Sequence, residues 1–273
     1  MIDLVVDGNS LFARSWYAAK EDPEQALQYA LTTILTLLNP NYNRIGINFD
    51  RTLFAWDAKR NEKKDRDPKP AIYTETCNLL KDVFMYTLST ANVEKEGFEA
   101  DDIVATVVYA AGPKDTVYVV SADKDLMQLQ GGNCHFYCLH TKGVLSQAFI
   151  NAKFHIKHPS QIPISLAIIG DGVDNIPGIR GWGPKKSDKL FEAVKPKMDF
   201  EQALSAITAQ IPEDKQDEFY ASLERTLLNM YVPDVPKPLE IRMASLEEFL
   251  VLDMPKVEFR YKEAYQAYMV EPY

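Results

Sequence analysis

An α/β fold with a mixed, mainly parallel sheet flanked by helices is what this sequence predicts, and three observations predict it. Short apolar or β-branched runs, Ile2–Val6, Arg44–Phe49 and Thr116–Val120, alternate with longer stretches of helical period. Each run delivers acids at or just past its C-terminal end: Asp7, Asp50, and then Asp123 and Asp125. The tetrad Glu99-Ala-Asp-Asp102 puts Glu99, Asp101 and Asp102 at the start of an apolar run, Ile103–Ala111, that suits a helix. Ligands of open α/β sheets bind beyond the carboxyl ends of the strands, so these acids are expected at one edge.

The elements follow in order. Ile2–Val6 is the first strand, and Gly8-Asn-Ser10 turns into a helix carrying Arg14. Glu24–Leu38 is a second helix, with Leu27, Leu31, Ile34, Leu35 and Leu38 on one face. Arg44–Phe49 is the next strand. Residues 51–69 lack an apolar period and carry Lys59, Arg60, Lys63, Lys64 and Arg66, closed by Pro68 and Pro70. A solvated charged loop and a basic lid beside the carboxylates both fit that composition. Ala71–Ala91 is an amphipathic helix. Beyond Asp125 come a short helix at Leu126–Leu129, a strand at His135–Leu139 paired with Gly143–Leu145, and helices at Ser146–Lys153 and Ser160–Ile169. The Gly-rich loop Gly170–Gly178 holds Asp171 and Asp174. Gly178-Ile-Arg-Gly181-Trp-Gly183 then enters a helix whose first residue is Pro184, a favoured position for proline. From Met198 the chain reads as helical to Val232-Pro-Asp-Val-Pro236, with two short helices near the end and no internal repeat.

The totals are those of an ordinary globular protein: 273 residues, 46% hydrophobic and 25% charged. No run approaches the ~18–20 apolar residues that span a bilayer, and Met1–Asp7 has no basic n-region of a signal peptide. Cys77, Cys134 and Cys138 lack zinc-like spacing and read as reduced packing thiols, which points to the cytoplasm. A net charge of −9 argues against a general nucleic-acid coat. The basic residues nevertheless form two islands, at 59–69 and 178–197, which can grip a polyanion locally.

A lone Asp after a strand is commonly a helix cap, and Asp174-Asn175 suits a turn. Nine acids at such places call for cations, because unpaired carboxylates repel one another. Oxygen donors suit Mg²⁺ or Mn²⁺. Two sets suggest themselves for two ions, Asp7, Asp50, Glu99 and Asp101 in one and Asp123, Asp125, Asp171 and Asp174 in the other. Paired ions about 4 Å apart promote phosphodiester cleavage. The glycines at 178, 181 and 183 let backbone N–H groups approach a phosphate ahead of a helix N-terminus, with Lys185, Lys186 and Lys189 adding charge. His135, His140, His155 and His158 have no triad-like setting.

Asp7-Gly-Asn-Ser with Arg14, Asp50, Glu99-Ala-Asp-Asp, Ser121-x-Asp-x-Asp and Gly170-Asp-x-x-Asp-Asn-Ile-Pro-Gly-x-x-Gly-x-Gly together resemble the 5′-nuclease (flap endonuclease) superfamily. The resemblance covers roughly residues 1–236. It is closest to stand-alone bacteriophage 5′→3′ exonucleases and to the N-terminal nuclease domain of bacterial DNA polymerase I, and the lack of a following polymerase segment favours the stand-alone type. It implies a PIN-like core over 1–169 with a helical arch at 51–69, a helix–three-turn–helix DNA-binding region within 170–236, and an extension at 237–273. It implies Mg²⁺- or Mn²⁺-dependent hydrolysis of DNA at a 5′ end or 5′ flap in replication, repair or recombination, with RNA of an RNA–DNA hybrid as a further substrate. The resemblance also implies K⁺ in the turn around Gly178–Gly183; a monomer with no membrane partner is expected. Residue by residue, it carries over Lys63 and Arg66 as arch groups on the scissile phosphate and Arg14 as a phosphate contact, while Gly178, Arg180, Gly181, Gly183, Lys185, Lys186 and Lys189 fall in the helix–three-turn–helix region and read as a DNA-backbone clamp. Glu62 stands where relatives often have Tyr, leaving Phe54 or Trp56 as substitute stacking platforms, and Trp182 replaces a small aliphatic residue. A DNA-junction binder with weak or lost nuclease activity and a PIN-type RNase are the competing functions. A phosphatase with an Asp-x-Asp nucleophile does not fit, since Asp7-Gly-Asn lacks the second acid.

Overall fold

The computed structural model describes residues 1–39, 42–58, 69–88 and 90–241. They form two compact units, one from the described residues of 1–122, 137–143 and 230–241, the other of residues 123–136 and 144–229. A division at 169/170 is not where these units part, because the helix ending at Ile169 packs inside the second one.

The first unit is built on parallel strands: β1 (Ile2–Asp7), β2 (Arg51–Trp56), β3 (Ala91–Glu94) and β4 (Thr116–Ser121). The sheet order is β3-β2-β1-β4, continued by β5 (Cys134–Cys138) and β6 (Gly143–Val144). Parallel neighbours require long crossovers. These are supplied by α1 (Gly8–Ala18) and α2 (Pro23–Leu38) between β1 and β2, by α3 (Ala71–Leu88) and by α4 (Ala100–Ala110). With helices over the sheet, the central strands are apolar throughout: Leu4, Val5, Val6, Val117, Val119 and Val120 are fully buried. A short strand, β7 (Leu239–Glu240), pairs antiparallel with Arg51 and Thr52, while β3 takes Leu53–Trp56. Val232 N donates to Thr106 Oγ1 of α4 at 2.9 Å as the chain returns to this unit.

One expectation fails here with consequences for the site. The strand expected over Arg44–Phe49 is a loop, and the strand is Arg51–Trp56. Asn43 holds the loop: its Nδ2 donates to Leu37 O (2.8 Å) and Ile47 O (2.9 Å), and its Oδ1 accepts from Ile47 N. Arg51 starts the strand because its guanidinium forks onto Asp3 of β1 at 2.6 and 2.7 Å, a bidentate geometry that tolerates burial. Residues 51–56 are therefore sheet and not arch, and Lys59–Pro68 lie outside the described residues. Phe54 and Trp56 are fully buried, with Phe54 stacked on Phe84 at 4.3 Å and Trp56 Nε1 donating to Asn92 Oδ1. Neither ring is available to stack on a base.

The second unit carries α5 (Gln147–Phe154), α6 (Ile162–Ile169), α7 (Pro184–Phe191), α8 (Phe200–Thr208) and α9 (Glu213–Thr226). The helical span from Met198 thus breaks into α8 and α9 around Ile211-Pro212. α6 is its core, buried from Ile162 to Ile168 and packed on α9 and α7. Thr226 Oγ1 reaches back to Pro163 O at 3.2 Å. Among the described residues no helix is long and apolar enough to cross a membrane.

Candidate functional site

In the first unit the parallel register places the ends of β1, β2 and β4 side by side, with Asp7 opposite Ala55 and Val6 opposite Val120. Asp7 closes β1 and caps α1: its Oδ1 accepts from Ser10 N (2.9 Å) and its Oδ2 from Ser121 Oγ of β4 (2.7 Å). The rest of the Asp7-Gly-Asn-Ser motif pins the neighbouring strand ends. Asn9 Oδ1 accepts from Asp57 N just past β2, and Ser10 Oγ accepts from Ala122 N just past β4, both at 2.8 Å. Gly8 is required because a Cβ there would come 2.6 Å from the Trp56 ring.

Asp50 is not at this edge. It precedes β2, at the opposite end, and is exposed; its N donates to Ile2 O and its Oδ2 accepts from Ile2 N at 2.7 Å. The acid at the carboxyl end of β2 is Asp57, whose Oδ1 accepts from Ala100 N, the first residue of α4, at 2.9 Å. The sequence held the signal in the unbroken apolar run Leu53–Trp56 followed by an acid, which the charge of Arg51 obscured. Glu99 and Asp102 form a capping box at the start of α4, with Glu99 N donating to Asp102 Oδ2 at 3.2 Å. Asp101 and Asp102 are buried in that first turn, at the positive end of the helix dipole. Asp7, Asp57, Glu99, Asp101 and Asp102 thus share one edge of one sheet.

The second unit holds the tightest carboxylate group found among the described residues: one oxygen each of Asp125, Asp171 and Asp174 lies within 4.8 Å of the others. Asp125 opens a 3-10 turn, Asp125–Leu129, that packs on α6, and Asp171 follows the C-terminal end of α6. Asp171 and Ile176 exchange backbone hydrogen bonds at 2.8 Å, closing a narrow loop around Asp174. Gly170 and Gly178 clasp its base. Both have positive φ, and a Cβ on Gly178 would come 2.4 Å from Gly170 N. Lys124 Nζ contacts Asp171 Oδ2 and lies 3.6 Å from Asp174 Oδ2. Burial opposes the charge on Lys124, but the hydrogen bond to Asp171 and the field of the three acids raise its pKa above the ordinary lysine value. The ammonium rests where oxygen-rich groups take a cation, so the donor set fits a divalent metal. Asp123 stands one step outside this group, its Oδ1 accepting from Asp125 N at 2.9 Å.

Beyond the loop, Ile179–Trp182 is a type II turn: Trp182 N donates to Ile179 O at 2.9 Å, and Gly181 at the third position has φ +82°. Arg180 N donates to Glu218 Oε2 of α9 at 2.8 Å. That bond, then Lys215, hold the Glu218 carboxyl below its ordinary pKa. Gly183 caps α7 after this turn, and Pro184 is its first residue as expected. Lys185, Lys186 and Lys189 are exposed along α7, with Lys186 Nζ 4.7 Å above the Trp182 ring. Gly178 differs from its expected role, being buried in chain packing rather than open to a phosphate. Arg14 lies on α1, half-buried; Lys63 and Arg66 lie outside the described residues.

Residues 3–155 match the family model of the 5′-3′ exonuclease N-terminal resolvase-like domain. The thermostable DNA polymerase I of Thermus aquaticus is 32% identical over 199 residues, covering 69% of this chain and 23% of that protein. The 5′-3′ exonuclease of Buchnera aphidicola is 31% identical over 67% of this chain and 67% of its own length, and that of Mycoplasmopsis pulmonis 27% identical over 94% and 91%. The chain spans about a quarter of the length of the polymerase relatives. Among solved structures, the zinc-bound T5 5′-exonuclease aligns with a TM-score of 0.60 at 19% identity, covering 85% of this chain and 91% of that one. The catalytic core of Rad2 with DNA substrate aligns at 0.58 and 13%, covering 98% and 91%. With the matched domain spanning more than half of its residues, this chain belongs to the 5′-3′ exonuclease family.

Proposed function

We propose that this chain is a metal-dependent 5′→3′ exonuclease and 5′-flap endonuclease that hydrolyses DNA phosphodiester bonds. The observation that carries the reading is the group of Asp125, Asp171 and Asp174 with an ammonium already seated on it, in a chain of this family. Asp125, Asp171 and Asp174 hold one divalent ion, Mg²⁺ or Mn²⁺, with Asp123 close behind. Asp7, Asp57, Glu99 and Asp101 hold a second, with Asp102 fixing the helix that presents them. Such ions supply activation of water and charge stabilisation of the leaving oxygen.

The protein's own groups bind and orient the substrate. Lys185, Lys186, Lys189 and Arg180 hold the DNA backbone without reading sequence, and the turn Ile179–Trp182, tied down by Glu218, fixes where they act. K⁺ binds at this turn. Arg14 takes a phosphate, and Lys63 and Arg66 hold the scissile one. The core is PIN-like, the enzyme works as a monomer in the cytoplasm, on replication, repair or recombination intermediates, and RNA in a hybrid is accepted. Asp50 is left out of the ligand set, since it lies at the other end of the sheet, beside Ile2.

The test is cleavage of flap duplexes labelled at the 5′ or the 3′ end, in Mg²⁺ and in chelator. Short 5′-labelled products, or a single cut near the junction, in Mg²⁺ only are expected. Tight binding without cleavage would replace the nuclease with a junction binder.

A further inference from the structure

Tyr17 and Lys69 carry a feature that the carboxylates and the α7 lysines do not use. Tyr17 stands in the last turn of α1 with 56% of its surface exposed. Beneath it Phe12, Trp16 and Tyr73 interlock edge to face, with Phe12–Tyr73 centroids 4.8 Å apart and Trp16–Tyr73 5.3 Å. That packing joins α1 to α3 and is ordinary core. Tyr17 lies outside it. Its hydroxyl instead accepts a 3.0 Å hydrogen bond from Lys69 Nζ, and the same ammonium sits 5.6 Å from the centroids of both Tyr17 and Tyr73. An exposed tyrosine is ordinarily free to swing; the bond from Lys69 to the tip of this one favours a single orientation of its face.

The position matters as much as the ring. Arg14 and Tyr17 are three residues apart on α1 and lie on the same face. The helix begins at Asp7, so Tyr17 sits along it about 15 Å from the carboxylate edge. A guanidinium on the same helix face, an exposed aromatic ring and an ammonium at its tip are the kinds of group that hold single-stranded nucleic acid, the cations on its backbone and the ring on a base face.

We infer that Tyr17, oriented by Lys69, stacks on an unpaired base in the 5′ single-stranded arm of the DNA. This rests on the nuclease reading above. Stacking needs a face and no hydrogen bond, so the contact is indifferent to sequence but selective for unpaired nucleotides over duplex.

The experiment places 2-aminopurine at successive positions in the 5′ arm of a flap duplex and titrates protein in Ca²⁺, following fluorescence and affinity. The wild-type protein is expected to quench one position. Tyr17→Ala is expected to lose that quench and bind the flap about tenfold more weakly, the scale of one base–aromatic stack, with affinity for blunt duplex unchanged. Tyr17→Phe, which keeps the ring but loses the Lys69 hydrogen bond, is expected to keep the quench in weakened form, and Tyr109→Ala, which removes another exposed tyrosine on α4, changes nothing. The inference is overturned if Tyr17→Ala quenches and binds like wild type, or if it weakens flap and blunt duplex alike. A wild-type protein that neither binds nor cuts the flap would instead overturn the nuclease reading itself.

Discussion

Lys124 shows how much a single side chain adjusts at a carboxylate cluster. Its ammonium offsets repulsion among Asp125, Asp171 and Asp174, so a divalent ion has to displace it. Lys124→Met keeps the volume and removes the charge. It is expected to lower stability in chelator by about 1 kcal/mol and to tighten Mn²⁺ binding severalfold by calorimetry. Unchanged values in both measurements would show that Lys124 is not a counter-ion. Most of the acids were legible from sequence because a strand end or a helix start fixes where an Asp goes whatever its partner. Lys124 was not, since a lysine between two aspartates looks the same on a surface and inside a cation site. The pinning roles of Asn9 and Ser10 were equally hidden, because their partners are 48 and 112 residues away.

At the scale of elements, helices were read better than strands. Eleven or more residues of amphipathic period identify α2 and α3 locally, whereas β2 is defined by a partner. The run 51–56 opens with a charge that Asp3 neutralises only in the fold, and the basic residues after it drew the whole segment into an arch. The competing run 44–49 has strand-like composition but is held as a loop by Asn43. One misplaced strand moved the expected ligand from Asp57 to Asp50. The loop 170–178 was located correctly in sequence, but its glycines divide into two kinds. Gly181 supplies the positive φ of an exposed turn, while Gly178 supplies close approach between two backbones. Gly178→Ala meets backbone at 2.4 Å as well as an unfavourable φ. It is expected to cost several kcal/mol in chemical denaturation and to impair metal binding, while Gly172→Ala, in open space, costs under about 1 kcal/mol. Equal costs would contradict the backbone clasp.

At the scale of the molecule, the net charge of −9 coexists with a local basic surface because the lysines of α7 project together while the acids at the sheet edge are folded inward. Buried thiols set a limit at alkaline pH. Burial pushes Cys77 up to about 11 and Cys134 up to about 12 from an ordinary value of 9.0. Below about pH 9 the folded and unfolded thiols are both protonated. Above it the unfolded chain releases protons that the folded chain retains, so stability falls until the folded values are passed. Each thiol is expected to cost on the order of 2 kcal/mol between about pH 8 and 10.5, and denaturant titrations of the C77A/C134A variant should show a flatter decline. An unchanged slope would mean that the buried tyrosines Tyr118 and Tyr137, also raised by burial, dominate.

Besides the group of Asp125, Asp171 and Asp174, the proposed site uses the carboxylates that the parallel register gathers at one sheet edge, so that Asp57 serves as a ligand and Asp50 as a structural residue. Single-turnover cleavage of a 5′-flap duplex in Mg²⁺ by Asp57→Asn and Asp50→Asn separates the two roles. Asp57→Asn is expected to lose at least about a hundredfold in rate, in keeping with loss of several kcal/mol of charge stabilisation. Asp50→Asn, which keeps an oxygen for Ile2 N, should cut within a fewfold of wild type. An inactive Asp50→Asn beside an active Asp57→Asn would contradict the register and the site built on it.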